Sequence, residues 1–294
     1  MTITPLFSTA RAPAPRWHWL APLAIAATIV VATAPARAFV LNFDDNDGIG
    51  DIVHGQVIDS EFTLANGGIP GTSGALGVSV GAINDGGGPN LAVAFDSTRT
   101  NTRDPDLEDP FKIAPGSEAY IGDLERPGNI LIVQENDWGC GDGVCNEPDD
   151  EGGGPNSMEF LFSENVTLTR IDLFDIDCKK VWNGWKWVED CGWPGGESAT
   201  IAFFSDAAMQ NSLGTISVSS FGNHTAKRVF FGDNGQANVR KLVVTLSGSG
   251  AISNIAGITP DNQQIPEPAT LGLVIAGLFG LGAARWRRRI PARA

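Results

Sequence analysis

The chain has 294 residues with 34 acidic and 20 basic side chains, a formal net charge of −14 at pH 7. The excess is concentrated in the middle: residues 39–264 hold 12 basic and 33 acidic side chains, a net of −21, because three arginines precede them and five follow. A surface of that sign repels nucleic-acid phosphates and anionic lipid, which excludes nucleic-acid binding.

Taken from the front, residues 1–38 have the pattern of a secretory signal peptide. Arg11 and Arg16 give a positive start, 20–31 is an apolar run, and Ala36-Arg37-Ala38 is a small-residue cleavage site, so Phe39 is the expected first mature residue. The expected body, 39–260, is long enough for one large all-β domain.

Short apolar runs that alternate and stop at Gly, Asn, Asp or Pro predict strands over 39–43, 57–64, 91–95, 130–134, 158–162 and 166–176. The same signals predict 185–188, 200–204, 215–218, 228–231, 240–246 and 252–258. Within 240–246, Leu242, Val244 and Leu246 point one way while Lys241, Val243 and Thr245 point the other. No stretch of the body sustains a 3.6-residue period. The expected fold is all-β, a two-sheet sandwich of jelly-roll type. A polar excursion rich in Pro and Asp, 96–129, interrupts the strand rhythm, and loops of that length are usually functional or disordered. The sequence GGGPN occurs twice, at 86–90 and 152–156, each time before a predicted strand. Equivalent turns setting 91–95 beside 158–162 are the modest expectation.

Four cysteines fall in the body: Cys140, Cys145, Cys178 and Cys191. Export permits disulfides, and the local pairings Cys140–Cys145 and Cys178–Cys191 close short loops. A zinc site is the rival, against which stands the lack of C-x2-C spacing.

Acidic residues gather at several loop positions: Asp96, Asp104, Asp106, Asp149, Asp150, Asp175 and Asp177. Calcium takes six to eight oxygens, and carboxylates from several loops at one end of a sandwich can supply them, so a calcium site is an expectation. Simple solvation of these acids is the competing one. The run Asp44-Asp45-Asn46-Asp47-Gly48 resembles an EF-hand loop, but placing Gly48 at the sixth position puts Phe43 first, where an Asp is needed.

Four tryptophans, Trp182, Trp185, Trp187 and Trp193, crowd around a possible Asn183-Gly184 hairpin turn. With Cys178 and Cys191 joined, Trp185 and Trp187 share a face by period 2 and can stack on pyranose rings, as in carbohydrate-binding modules. Covering the end of the core is the alternative. No catalytic residue is assigned: the body has His54 and His224, no G-x-S-x-G elbow and no H-E-x-x-H.

The chain ends in three consecutive parts: Pro266-Glu267-Pro268, an apolar run over 269–284, and the basic cluster 285–289 with Arg285, Arg287, Arg288 and Arg289. A 16-residue helix spans about 24 Å, somewhat short of a ~30 Å hydrocarbon core. These residues, within a tail over 261–294, resemble the PEP-CTERM sorting signal of exported proteins in Gram-negative bacteria. The resemblance implies passage through the secretion machinery and an inner-membrane intermediate held by a transmembrane helix. It also implies recognition by an exosortase, then release or attachment at the cell surface or in the extracellular matrix. Between Phe95 and Asp177 the acidic layout loosely resembles the bodies of other PEP-CTERM and marine surface proteins, a likeness that transfers no activity. The expectation is a non-catalytic surface or matrix protein that contacts exopolysaccharide. Its rivals are a glycan-active enzyme using a carboxylate pair and a purely structural matrix protein.

Overall fold

A computed structural model describes residues 37–46, 50–72, 76–150, 154–192 and 194–259. The expected signal peptide up to Ala36, Trp193, and the expected sorting tail with Pro266, Glu267, Pro268, Arg285, Arg287, Arg288 and Arg289 lie outside the described residues. Among the described residues no helix is long and apolar enough to cross a membrane.

The described chain is all-β. In order its strands are β1 (Ala38–Leu41), β2 (Asp45–Asn46), β3 (Gly50–Asp51), β4 (Val78–Asn84), β5 (Ala92–Asp96), β6 (Lys112–Ile113) and β7 (Asn129–Val133). There follow β8 (Asn156–Phe174), β9 (Lys179–Trp182), β10 (Trp187–Asp190), β11 (Ser198–Phe204), β12 (Ser212–Ser219), β13 (Thr225–Phe230), β14 (Gln236–Leu246) and β15 (Ala251–Ile258). One four-residue helix, α1 (Ile121–Leu124), sits in the excursion before β7.

The fold is organised around β8. Its first half pairs with β14 on one side and β4 on the other, through Phe160 opposite Leu242 and Val80. Its second half pairs with β13 and with β15, through Ile171 opposite Val229 and Ile255. One strand of 19 residues thus runs through both halves of a sandwich-like body, which form a single 11-stranded hydrogen-bonded network. The two strands expected at 158–162 and 166–176 are this one strand, and the two expected sheets share it. Ser163 keeps the strand paired across the polar break: its amide donates to the Gly77 carbonyl (2.7 Å) and its hydroxyl accepts from the Gly77 amide (2.9 Å).

Alternation places the core as the pattern of β14 requires. Leu242, Val244 and Leu246 are buried, and on the opposite face Lys241 reaches Glu159 at 2.8 Å. Phe39, Phe62, Phe160, Phe162 and Phe203 fill the main core, each worth roughly 1.5–3 kcal/mol on burial. A second, smaller core, with Phe95, Leu107, Phe111, Leu124 and Phe174, lies under the excursion 97–128, so this segment is a folded cover.

Three expectations are corrected. Residues 57–64 form no strand, because Asp59 and Ser60 open a turn that sends Ile58 and Phe62 inward from its two sides. The two GGGPN turns do pack together: a Cβ on Gly154 would lie 2.8 Å from the Gly86 amide nitrogen. The strand they set beside β8 is nevertheless β4, which precedes the first turn, and β5 pairs with β7 instead. The strand expected over 185–188 begins at Trp187, opposite a β9 that the charged pair Lys179-Lys180 conceals in the sequence.

Candidate functional site

Two structures meet at the end of the body where β8 runs out: a group of buried aspartates and the tryptophan ribbon. Asp175 and Asp177 directly follow β8, Asp104 and Asp106 come from the excursion, and Asp150 comes from the segment before β8. Asp104, Asp150 and Asp175 are 1%, 2% and 3% exposed, although they come from polar loops.

Their hydrogen bonding is incomplete. Neither carboxylate oxygen of Asp104 meets a donor, and Oδ1 of Asp150 meets none. Oδ2 of Asp150 accepts from the amide of Gly250 at 2.7 Å, in the turn between β14 and β15. Asp175 accepts from the amide of His224, and its own amide donates to the Thr225 carbonyl at 2.9 Å. Burial pushes the Asp104 carboxyl above its ordinary range, with the charges of Asp149 and Asp106 adding to this and the facing Asp150 acting against it. Asp150 is pushed well above that range, first by burial and then by the charge of Asp104. Asp175 rises to about 8 by burial, with Asp177, Asp106 and Asp104 contributing against the His224 amide. Asp177 rises to about 6 through burial and the nearby Glu197 and Glu189.

Of the seven acids that the sequence offers for a metal, the structure brings five into mutual electrostatic reach: Asp104, Asp106, Asp150, Asp175 and Asp177. Asp149 touches the group but is bonded to Arg103 Nε at 3.0 Å. Asp96 serves a local turn, accepting from the amide and hydroxyl of Thr98 at 3.0 and 2.7 Å. Among the described residues no group of three or more His, Cys, Asp or Glu side chains is placed to hold a metal ion. Any cation here would take part of its shell from main-chain carbonyls and water.

The ribbon is a two-stranded sheet of its own, β9 with β10, closed by the Cys178–Cys191 disulfide. Cys140 and Cys145 form the second disulfide, so both local pairings are made and the described chain has no free cysteine. Such bonds fit an oxidising compartment. The turn of the ribbon is the four residues 183–186, wider than Asn183-Gly184 alone, with Asn183 Oδ1 accepting from the amides of Trp185 (3.1 Å) and Lys186 (3.0 Å).

This width changes which tryptophans share a face. Trp185 stands in the turn, 91% exposed, while Trp182 and Trp187 are directly opposed and meet edge to face at 5.8 Å. The face expected for Trp185 and Trp187 therefore belongs to Trp182 and Trp187, which are 55% and 65% exposed. Trp138 is exposed as well, but the Arg103 guanidinium lies 4.5 Å from its ring centre and takes one face. Beside that stack is a polar cleft of about 580 Å³ lined by His54, Arg99, Arg103, Asn146 and Glu147.

Asn223 joins the aspartates to the ribbon: its side-chain amide donates to Asp106 at 2.7 Å and its main-chain amide donates to Glu189 of β10 at 3.3 Å. Nothing in the local sequence marks it. Its partners are 117 and 34 residues away, so no window reveals the bridge.

No family model matches the chain, and no curated protein matches it. Among solved structures it is similar to a Stig cyclase, Fisc, from Fischerella sp. TAU, solved in complex with a substituted 3H-indole. That likeness has 9% identity and a TM-score of 0.29 over 71% of this chain and 100% of that one, too low to carry an argument about function.

Proposed function

We propose that this chain is an exported, non-catalytic envelope protein whose disulfide-closed ribbon binds extracellular polysaccharide. The observation that carries the reading is the exposure of Trp182, Trp185 and Trp187 on a ribbon that pairs with no strand of the main sheet. Tryptophans that cap a core are buried against it, whereas these present ring faces to water, where apolar faces of pyranose rings can stack. The jelly-roll description belongs to this proposal, as does delivery by an exosortase through the tail at 261–294. The two disulfides support an oxidising destination. The raised carboxyls of Asp104, Asp150 and Asp175 give a glycan-active enzyme some support, since perturbed acids gather at catalytic sites. At 1–3% exposure, however, they are closed to a sugar ring.

Tryptophan fluorescence titrated with exopolysaccharide from a Gram-negative host tests the reading. A saturable shift is expected, and Trp185→Ala or Trp187→Ala should each weaken binding about fivefold to tenfold, in line with ~1 kcal/mol per ring contact. An unchanged spectrum, or variants that bind as well as the parent, rejects the platform. For the sorting half, mature protein from the native host should lack Arg285 to Arg289; its retention rejects exosortase processing.

A further inference from the structure

We propose that Asp104 and Asp150, with Asp175 beside them, form a divalent-cation site of the calcium type. The inference stands apart from the polysaccharide reading and rests on three unpartnered carboxylate oxygens: both of Asp104 and Oδ1 of Asp150. At 1% and 2% exposure, bulk water does not solvate them. None of the ion pairs among the described residues involves Asp104, Asp150 or Asp175. The nearest guanidinium of this loop cluster, Arg103, is taken by Glu147 at 2.8 Å and Asp149 at 3.0 Å.

An isolated buried carboxylate costs several kcal/mol, and two facing each other cost more. Proteins meet such a cost with a basic side chain, a proton or a bound cation. The first is missing here among the described residues. A single shared proton satisfies one oxygen of each partner; the Asp150 main-chain amide approaches the Asp104 carboxylate without reaching hydrogen-bond geometry, so its second oxygen stays underbonded. A cation between the two carboxylates answers their three unpartnered oxygens, with main-chain carbonyls and water completing its shell, while Asp175 adds negative charge within electrostatic reach. Calcium fits better than magnesium, because it accepts six to eight oxygens in irregular arrangements that include carbonyls and waters, whereas magnesium needs near-octahedral closure. The positions come from three segments far apart in sequence, so the ion would tie the excursion, the segment before β8 and the end of β8 together.

The test uses the full-length chain in mild detergent, stripped with chelator and titrated with calcium chloride by calorimetry and thermal unfolding. Saturable binding is expected, with a melting temperature raised by roughly 5–10 °C at about a hundred times Kd. Asp104→Asn and Asp150→Asn should each weaken calcium binding at least tenfold, yet melt in chelator at or above the parent temperature, because the amide removes a buried repulsion. Magnesium chloride should give a smaller shift. A parent protein whose melting point ignores calcium overturns the site without recourse to any variant. Unchanged affinity in Asp104→Asn places the ion elsewhere and also overturns it. Variants that lose stability equally with and without calcium point to a shared proton in place of the ion, and the site falls on that result too.

Discussion

Two buried aspartates, Asp172 and Asp150, live under opposite arrangements. Asp172, within β8, is fully buried and clamped by Arg228 through Nε at 2.7 Å and Nη2 at 2.8 Å, with Asn254 donating at 3.2 Å. The guanidinium is itself held over the Tyr120 ring at 4.5 Å and reaches Asp123 at 3.2 Å. Asp150, packed near the end of that strand, has one amide donor and a second carboxylate in front of it. Burial is the same in both places, and only the first brings its own counter-charge. Asp172 is therefore complete as folded, while Asp150 keeps a carboxylate oxygen without a donor.

The largest expected effect tests the complete half. Arg228→Ala leaves Asp172 buried with the Asn254 amide and no counter-charge, and should cost about 3–5 kcal/mol, read as a fall in the denaturant midpoint at constant slope. A loss under about 1 kcal/mol would mean that water replaces the guanidinium and that the two aspartates differ little. Next comes the pH dependence of the incomplete half in chelator. Asp177 and Asp175 keep their protons up to about 6 and about 8 when folded, whereas an unfolded carboxyl has lost its proton above the ordinary value of 3.8. Folded protein thus binds more protons than unfolded protein in this window, and stability should fall as pH rises from about 5 to about 8. A melting temperature that climbs over that range contradicts the assignment. The smallest effect is at Lys241: Lys241→Met should change stability by no more than about 1 kcal/mol, because methionine keeps the buried stem packed and the Glu159 side chain, 25% exposed, is still reached by water. A larger loss would show that the sheet half also depends on outward-facing charge.

Alternation makes most of the sheet legible. β14 is readable because one face is buried, so its apolar residues recur at period 2, and β15 because burial on both faces leaves a short, largely apolar run. β4 escapes because its inner face shrinks to Ala82 and Asn84 while the larger Ile83 stands exposed on the other, and β9 because both faces of the ribbon are wet and its lysines leave no apolar stripe. The candidate site is legible as an inventory and opaque as an arrangement. Asp149 and Asp150 are neighbours of the same type, yet the first pairs with Arg103 and the second faces Asp104. What separates them is the direction each side chain takes after a turn, which depends on contacts with residues such as Gly250, 100 positions away. Gly250 itself holds φ at +138°, a value that side chains rarely allow, so the donor to Asp150 is tied to glycine there.

The pairing of β1 with β15 sets a rule for when this body can finish folding. Ala38 lies opposite Ile258, and the Thr259 amide donates to the Arg37 carbonyl at 2.9 Å. The seam joins positions 222 residues apart, the two ends of the described residues. Contacts of such separation form late, after the entropy of closing the loop has been met by other pairs. Were the chain exported N-terminus first, as proposed, it would stay open at this edge until β15 had crossed. The two ends of the body then leave from a single place, so two cuts, one before Phe39 and one beyond Thr259, would fall on the same side of the folded domain.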